Sequence, residues 1–161
     1  MDDRLERTLG TDAGEDCCVD EVGSLVQRLV RTFQIFERDQ IKVFGFTSSQ
    51  CYSLLELLRT GGLAMSELSA KMNVDTTTMT RVIDNLVRDG LVVRQRDEGD
   101  RRYVVIALTD EGKEVAAKLE SSIKDYYRAI IANLPAGEVD TVLNSVKLLL
   151  TAFEKANPNC C

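Results

Sequence analysis

Apolar residues recur at three- and four-residue steps from Val22 through Leu25, Val26, Leu29, Val30, Phe33 and Phe36, which predicts an amphipathic helix to about Ile41. Its apolar stripe is wide, as though it met neighbours on two sides. The pattern breaks at Phe44-Gly45-Phe46, and Thr47-Ser48-Ser49-Gln50 then reads as a capping box that satisfies the open amides of a second helix. That helix carries Leu54, Leu55 and Leu58, holds Cys51 in its first turn, and ends at Gly61-Gly62, where glycine suits a left-handed cap. Ser66 is expected to cap a short helix, SELSAKM, and Asn73-Val74 to turn the chain tightly. Asp75 or Thr76 caps a third helix, TTTMTRVIDNLVRD, closed by Gly90.

Beyond it the period changes from helical to extended. LVVRQR and RYVVIAL are β-branched runs joined by DEGD, the signature of a hairpin with Gly99 available for positive φ. Thr109 caps a long helix carrying Val115, Leu119, Ile123, Tyr126, Ile130 and Leu134, stopped by Pro135. A last helix shows a clean stripe of Val139, Val142, Leu143, Val146, Leu149, Leu150 and Phe153. The expected fold class is mainly α with a small β-wing. A winged helix-turn-helix core spans about 47–108, and terminal helices at about 20–41 and 110–155 form a dimerisation region. Residues 1–19 read as a flexible acidic leader, 20–155 as one domain and 156–161 as a cysteine-bearing tail.

A short helix, a tight turn, a longer helix and a hairpin form the geometry that lays a recognition helix into the DNA major groove. On the third helix Met79, Val82, Ile83, Leu86 and Val87 make the buried face. Thr77, Thr78, Thr80, Arg81, Asn85 and Arg88 remain toward solvent, and Ser66 and Thr76 stand at the helix starts. Threonine meets thymine methyls or phosphates, and arginine favours guanine. A polar helix start accounts for TTTMT equally well when it is taken alone. The hairpin turn adds Arg101 and Arg102, placed to reach the phosphate backbone or minor groove, with Asp100 able to clamp one guanidinium.

The chain resembles the MarR family of winged-helix regulators from about Val22 to Phe153. The densest match is LSAKMNVDTTTMTRVIDNLVRDGLVVRQRDEGDRRYVVIALTDEGKEV, with its L-x-x-x-G-L-V step from Leu86 to Val92, the Asp100-Arg101-Arg102 wing tip, Leu108-Thr109 and Gly112. The resemblance implies a homodimer with interleaved terminal helices, two recognition helices on a palindromic double-stranded DNA operator, and a repressor's role. It also implies control by a small ligand or by cysteine chemistry near the junction of dimerisation and DNA-binding parts.

Composition sharpens this picture in three places. The 161 residues carry a net charge of −6, yet residues 1–24 hold eight acids against Arg4 and Arg7, so the remainder balances and can present a local basic surface. No apolar run approaches a membrane span, and the start lacks a signal peptide, which points to a cytoplasmic protein without a membrane partner. There is no histidine, no phosphate-binding glycine loop and no pair of buried carboxylates at helical spacing, which argues against an enzyme.

Five cysteines and no histidine leave only all-sulfur or sulfur-plus-carboxylate metal ligation. Soft thiolates would select Cu(I), zinc or a metalloid, and no cofactor beyond these is implied. In the family's dimer the start of the first helix and the end of the last lie close, so Cys17, Cys18, Cys160 and Cys161 are candidates to bind a metal or metalloid or to meet an oxidant. Cys51 is a candidate sensor thiol, because helix N-termini lower thiol pKa, or else a small core residue. A small aromatic effector is the alternative, in a pocket of Phe46, Cys51 and Tyr52. A winged-helix interaction module that never touches DNA is the remaining reading, and there Arg102→Ala would leave activity untouched.

Overall fold

The computed structural model describes residues 12–96 and 104–156, the side chains of residues 12–17 and of Glu37 excepted. It divides into two units, residues 1–39 and 40–161. The first unit holds α1, Asp12–Phe36. The helix begins well before the expected start near Val22, so Cys17 and Cys18 lie within it instead of at the end of a non-helical leader. Along α1 Val19, Val22, Leu25, Leu29 and Val30 are exposed, and the rings of Phe33 and Phe36 pack at 5.7 Å. A π-helical turn, Glu37–Ile41, follows.

In the second unit a 3-10 turn, Lys42–Phe44, ends at Gly45 with φ 79°, a left-handed position that glycine adopts without strain. Then come α2 (Ser48–Thr60), β1 (Leu63–Ala64), α3 (Met65–Lys71), α4 (Thr76–Arg88), β2 (Val92–Arg96), β3 (Val104–Leu108), α5 (Asp110–Ala132) and α6 (Val139–Ala156). The capping box holds: the Thr47 hydroxyl accepts from the Gln50 amide at 3.3 Å and the Gln50 side chain accepts from the Thr47 amide at 2.9 Å.

The sheet is antiparallel in the order β1-β3-β2. Its hairpin pairs Val92 with Leu108 and Arg96 with Val104, and β1 adds the pair Leu63–Ile106. Two residues are too few to carry a period, so β1 left no mark in the apolar pattern. It changes the start of α3. Pairing holds Ala64 extended, at φ −66° and ψ 154°, so Ala64 takes the cap position that Ser66 was expected to fill. The Glu67 carboxylate accepts from the Ala64 amide at 2.8 Å, and Ser66 lies exposed in the first turn.

The core is built from one face each of α2, α3, α4, the sheet and α5. Leu54 and Leu57 of α2, Leu68 of α3, Met79, Ile83 and Leu86 of α4, Val92 and Ile106 of the sheet, and Ala116 and Leu119 of α5 are all essentially inaccessible. Burial at this level is the main driving force for ordering the short helices α2, α3 and α4, which would be marginal alone. α5 leaves this core along its length. Tyr127, Ile130 and Ile131 are exposed, and no residue of α6 is buried. Among the described residues no helix is long and apolar enough to cross a membrane.

Candidate nucleic-acid interface

α4 is anchored from within and at both ends. Inside, Met79, Ile83 and Leu86 recur at helical spacing and are fully buried, so the opposite side of the helix must face out. At its start, Asn73 turns the chain with φ 50°. Asp75 then caps the helix: one carboxylate oxygen accepts from the Thr78 amide at 2.8 Å and the other from the Thr78 hydroxyl at 2.6 Å. The Thr78 hydroxyl, and then its amide, hold the Asp75 carboxyl below its ordinary range, which keeps the cap ionised.

The far end of α4 is stapled to the sheet and to α5. Gly90 turns the chain at φ 75°, and the Leu91 amide donates to the Leu86 carbonyl at 3.0 Å. The Thr109 hydroxyl donates to the Gly90 carbonyl at 2.8 Å and accepts from the Gly112 amide at 2.9 Å, so one side chain caps α5 and fixes the exit of α4. Gly112 lies directly against the Leu91 carbonyl, where a Cβ would overlap it. The G-L-V and L-T-x-x-G signals are thus the two sides of one joint.

The outward face of α4 is polar. Thr76, Thr77, Arg81 and Arg88 are exposed, with Thr80 and Asn85 half-buried. The candidate threonines divide by what their hydroxyls already do. Thr78 donates to the cap and Thr80 donates to the Thr76 carbonyl at 2.7 Å, so both hydroxyl protons are already engaged. Arg88 lies 3.5 Å from Asp89 at the helix end. Ser66 faces solvent at the start of α3. The wing tip residues Asp100, Arg101 and Arg102 lie outside the described residues.

Two residues that the sequence reading passed over join this face. Arg94 of β2 donates to Asp84 of α4 at 2.6 Å, tying the base of the wing to the recognition helix. Ten positions separate them, and neither a helical nor a strand period links residues in different elements. Alternation along VRQR was the available signal, since it sets Arg94 and Arg96 on one strand face.

Two of the five thiols, Cys18 and Cys51, have described side chains. Cys51 is fully buried in the core, consistent with the small core residue. Cys18 is exposed on α1. Cys160, Cys161 and the side chain of Cys17 lie outside the described residues. Among the described residues no three His, Cys, Asp or Glu side chains converge as a metal site would need.

Of the residues expected to form an aromatic-ligand pocket, Phe46 and Tyr52 are half-buried and Cys51 is buried. Tyr52 lines a groove of about 450 Å³ with Leu55, Glu56, Arg59, Lys71, Met72 and Glu120. Glu56 sits on its wall, taking Arg59 at 2.7 Å and Lys71 at 3.1 Å and so joining α2 to α3. The Arg59 hydrogen bond is the chief cause that holds the Glu56 carboxyl below its ordinary range, against the opposing pull of burial.

Comparison with known proteins agrees with this geometry. The model of the MarR family matches residues 46–104, from just past the 3-10 turn to the first residue of β3. The HTH-type transcriptional regulator YkoM of Bacillus subtilis is 31% identical over 105 residues, 63% of this chain and 68% of that protein. The chain spans 57% of the length of another B. subtilis regulator that it matches, YdgJ, at 32% identity. A MarR transcriptional regulator from Methanosarcina mazei superposes with a TM-score of 0.69 at 28% identity, over 85% of this chain and 99% of that one. FabT of Streptococcus pneumoniae, solved in complex with DNA, shares the fold with a TM-score of 0.74 at 19% identity, over 86% and 99% of the two chains.

Proposed function

The chain belongs to the MarR family, and on that premise we propose that it is a transcription regulator which binds a palindromic double-stranded DNA operator as a homodimer and represses transcription. The observation that carries this reading is α4. It is held by a fully buried apolar face while Thr76, Thr77 and Arg81 of its opening turns stand exposed. Those turns are the part of a recognition helix that meets base edges. The roles follow: Arg81 and the threonines read bases or meet phosphate, Ser66 and Arg88 meet backbone, and Asn85 borders the contact. Arg101 and Arg102 of the wing, aimed by Asp100, reach the backbone or minor groove.

Two apolar surfaces support the homodimer. Val142, Leu143, Val146, Leu150 and Phe153 of α6 are exposed, as is the stripe along α1. Apolar faces this long stay in solution only when covered, and two-fold pairing would also place two α4 helices on half-sites one helical turn apart. Selection of duplexes from a random pool by the full chain tests the reading. A two-fold consensus with half-site centres about 10 base pairs apart is expected. Failure to enrich any sequence overturns it.

For the effector, our reading is thiol chemistry at Cys17, Cys18, Cys160 and Cys161, by a soft metal, a metalloid or an oxidant. The exposed Cys18 thiol supports it, while the burial of Cys51 suits a core residue better than a sensor thiol. Arsenite, Cu(I) or peroxide should release the operator from the native protein but not from a variant with those four cysteines changed to serine. The groove beside Tyr52 favours the second reading, a small aromatic acid whose carboxylate meets Arg59 or Lys71. Release by such an acid, unaffected by the cysteine changes and lost in Tyr52→Ala, would select it.

A further inference from the structure

We propose that Arg96 is a further DNA-contacting residue, positioned by the Asp84–Arg94 pair; the inference rests on the DNA-binding reading above. Strand alternation places Val92, Arg94 and Arg96 on one face of β2. Register matches them with Leu108, Ile106 and Val104 of β3, and along that series the face passes from core to solvent. Leu108 and Ile106 are 7% and 2% exposed, whereas Val104 is 53% exposed. Val92 therefore seals the core, Arg94 stands at its rim and Arg96 lies beyond it, about 7 Å farther toward the wing tip.

Arg94 shows which way this face looks, because its guanidinium reaches Asp84 on α4. Asp84 lies on the outward stripe with Thr77, Arg81 and Arg88, at steps of four, three and four residues. A carboxylate there opposes binding to phosphates unless it is occupied. Arg94 occupies it, and the pair locks the wing's base against the recognition helix. Arg96 is exposed, and the described residues offer it no ion pair or hydrogen bond. It shares the side of the sheet on which Arg81 and Arg88 stand, so three cations border one surface. A plainer role exists for Arg96. β2 is an edge strand, and charge on an edge discourages pairing with other chains.

The test uses the full chain and a duplex that the wild-type protein has selected from a random pool, with affinity measured across a salt series. Arg96→Ala is expected to weaken binding about 5- to 20-fold, uniformly across sequences, and to reduce the slope of log affinity against log salt by about one. Unchanged affinity and slope would leave only edge protection and overturn the proposal.

Asp84→Asn supplies a second readout with opposite signs. If Asp84 contributes charge alone, its removal tightens binding to phosphates. If it positions the wing, binding weakens about tenfold although a negative charge has gone, and Asp84→Glu retains most of the affinity. Tighter binding by Asp84→Asn overturns the positioning role. Melting temperatures of all variants, expected near the wild-type value, separate these effects from unfolding. A wild-type protein that selects no duplex sinks the DNA-binding reading itself, a result distinct from a selected duplex to which Arg96 is indifferent.

Discussion

In α4, Met79, Ile83 and Leu86 are entirely removed from solvent, whereas in α6 Leu143 and Val146 stand 49% and 46% exposed. Both helices show apolar residues at three- and four-residue steps over a similar length. α4 finds α3, α2 and β2 within the same chain, so its face closes a core and its polar side is left as a surface with a fixed direction. Among the described residues α6 finds no such cover. An amphipathic stripe therefore specifies that a face must be buried, but not whether the same chain buries it. The distinction divides the molecule into a part whose apolar faces close on one another and a part whose apolar face stays open, the face that the proposed homodimer would cover.

The largest expected effect tests the closed part. Leu86→Ala removes a fully buried side chain at the point where α4 hands over to the Gly90 turn. It should cost about 2–5 kcal/mol, because the cavity left among packed helices relaxes only partly. Chemical denaturation would show the loss as a lower midpoint at every protein concentration. A loss below about 1 kcal/mol would mean that α4 is not anchored as described.

Val146→Asp asks the same question of α6 and should answer it differently. In a lone chain a substitution at a residue 46% exposed should change stability by less than about 0.5 kcal/mol. In a homodimer the charge lands inside the apolar contact and should weaken association by about a hundredfold or more. Sedimentation would then report a mass near 17.9 kDa for the variant and about twice that for the wild type. If both sediment alike, α6 is not the surface that pairs.

Thr109→Ala probes the joint between the two behaviours, since α5 begins in the core and ends with Ile130 and Ile131 exposed. The change removes a helix cap and leaves the Gly90 carbonyl without its 2.8 Å donor. A loss of about 1–2 kcal/mol is expected. Operator affinity should fall by more than unfolding accounts for, because the exit of α4 is no longer fixed. Equal losses in Thr109→Ser and Thr109→Ala would show that the hydroxyl is not what matters.

What the sequence made legible follows from the range of each interaction. The caps Thr47, Asp75 and Thr109 each act within three residues, and all three sit where their local spelling places them. The buried positions of α4 follow from its own period. β1 was hidden because two residues acquire meaning only through Ile106, more than forty positions away. The same cause displaced the cap of α3 from Ser66 to Ala64, and it hid the Asp84–Arg94 pair, which joins a helix to a strand. At the front, absence of apolar period in residues 12–19 suggested no helix, yet α1 begins at Asp12.

The smallest effect concerns Glu56, which joins α2 to α3 inside the part whose apolar faces close. Its side chain is 18% exposed, while the Arg59 and Lys71 side chains it holds are 68% and 43% exposed. Partial shelter strengthens the pair relative to the more exposed ion pairs of α5, Lys113–Asp110, Lys124–Glu120 and Arg128–Asp125, but its exposed cations keep it open to screening. Its carboxyl is held below the ordinary range, chiefly by the Arg59 hydrogen bond. The folded state therefore binds the Glu56 proton less readily than the unfolded chain does. The stabilisation is complete above the ordinary glutamate pKa and is lost as pH falls through the lowered folded value. Glu56→Gln should destabilise the protein by less than about 1 kcal/mol at neutral pH, and the gap from wild type should close on acidification. Salt near 1 M should narrow the same gap at neutral pH. α6 has no comparable carboxylate clasp among the described residues, so Val146→Asp should not reproduce this pattern. A Glu56→Gln gap that stays constant from neutral to acid pH would mean that Glu56 joins the helices by packing and not by charge.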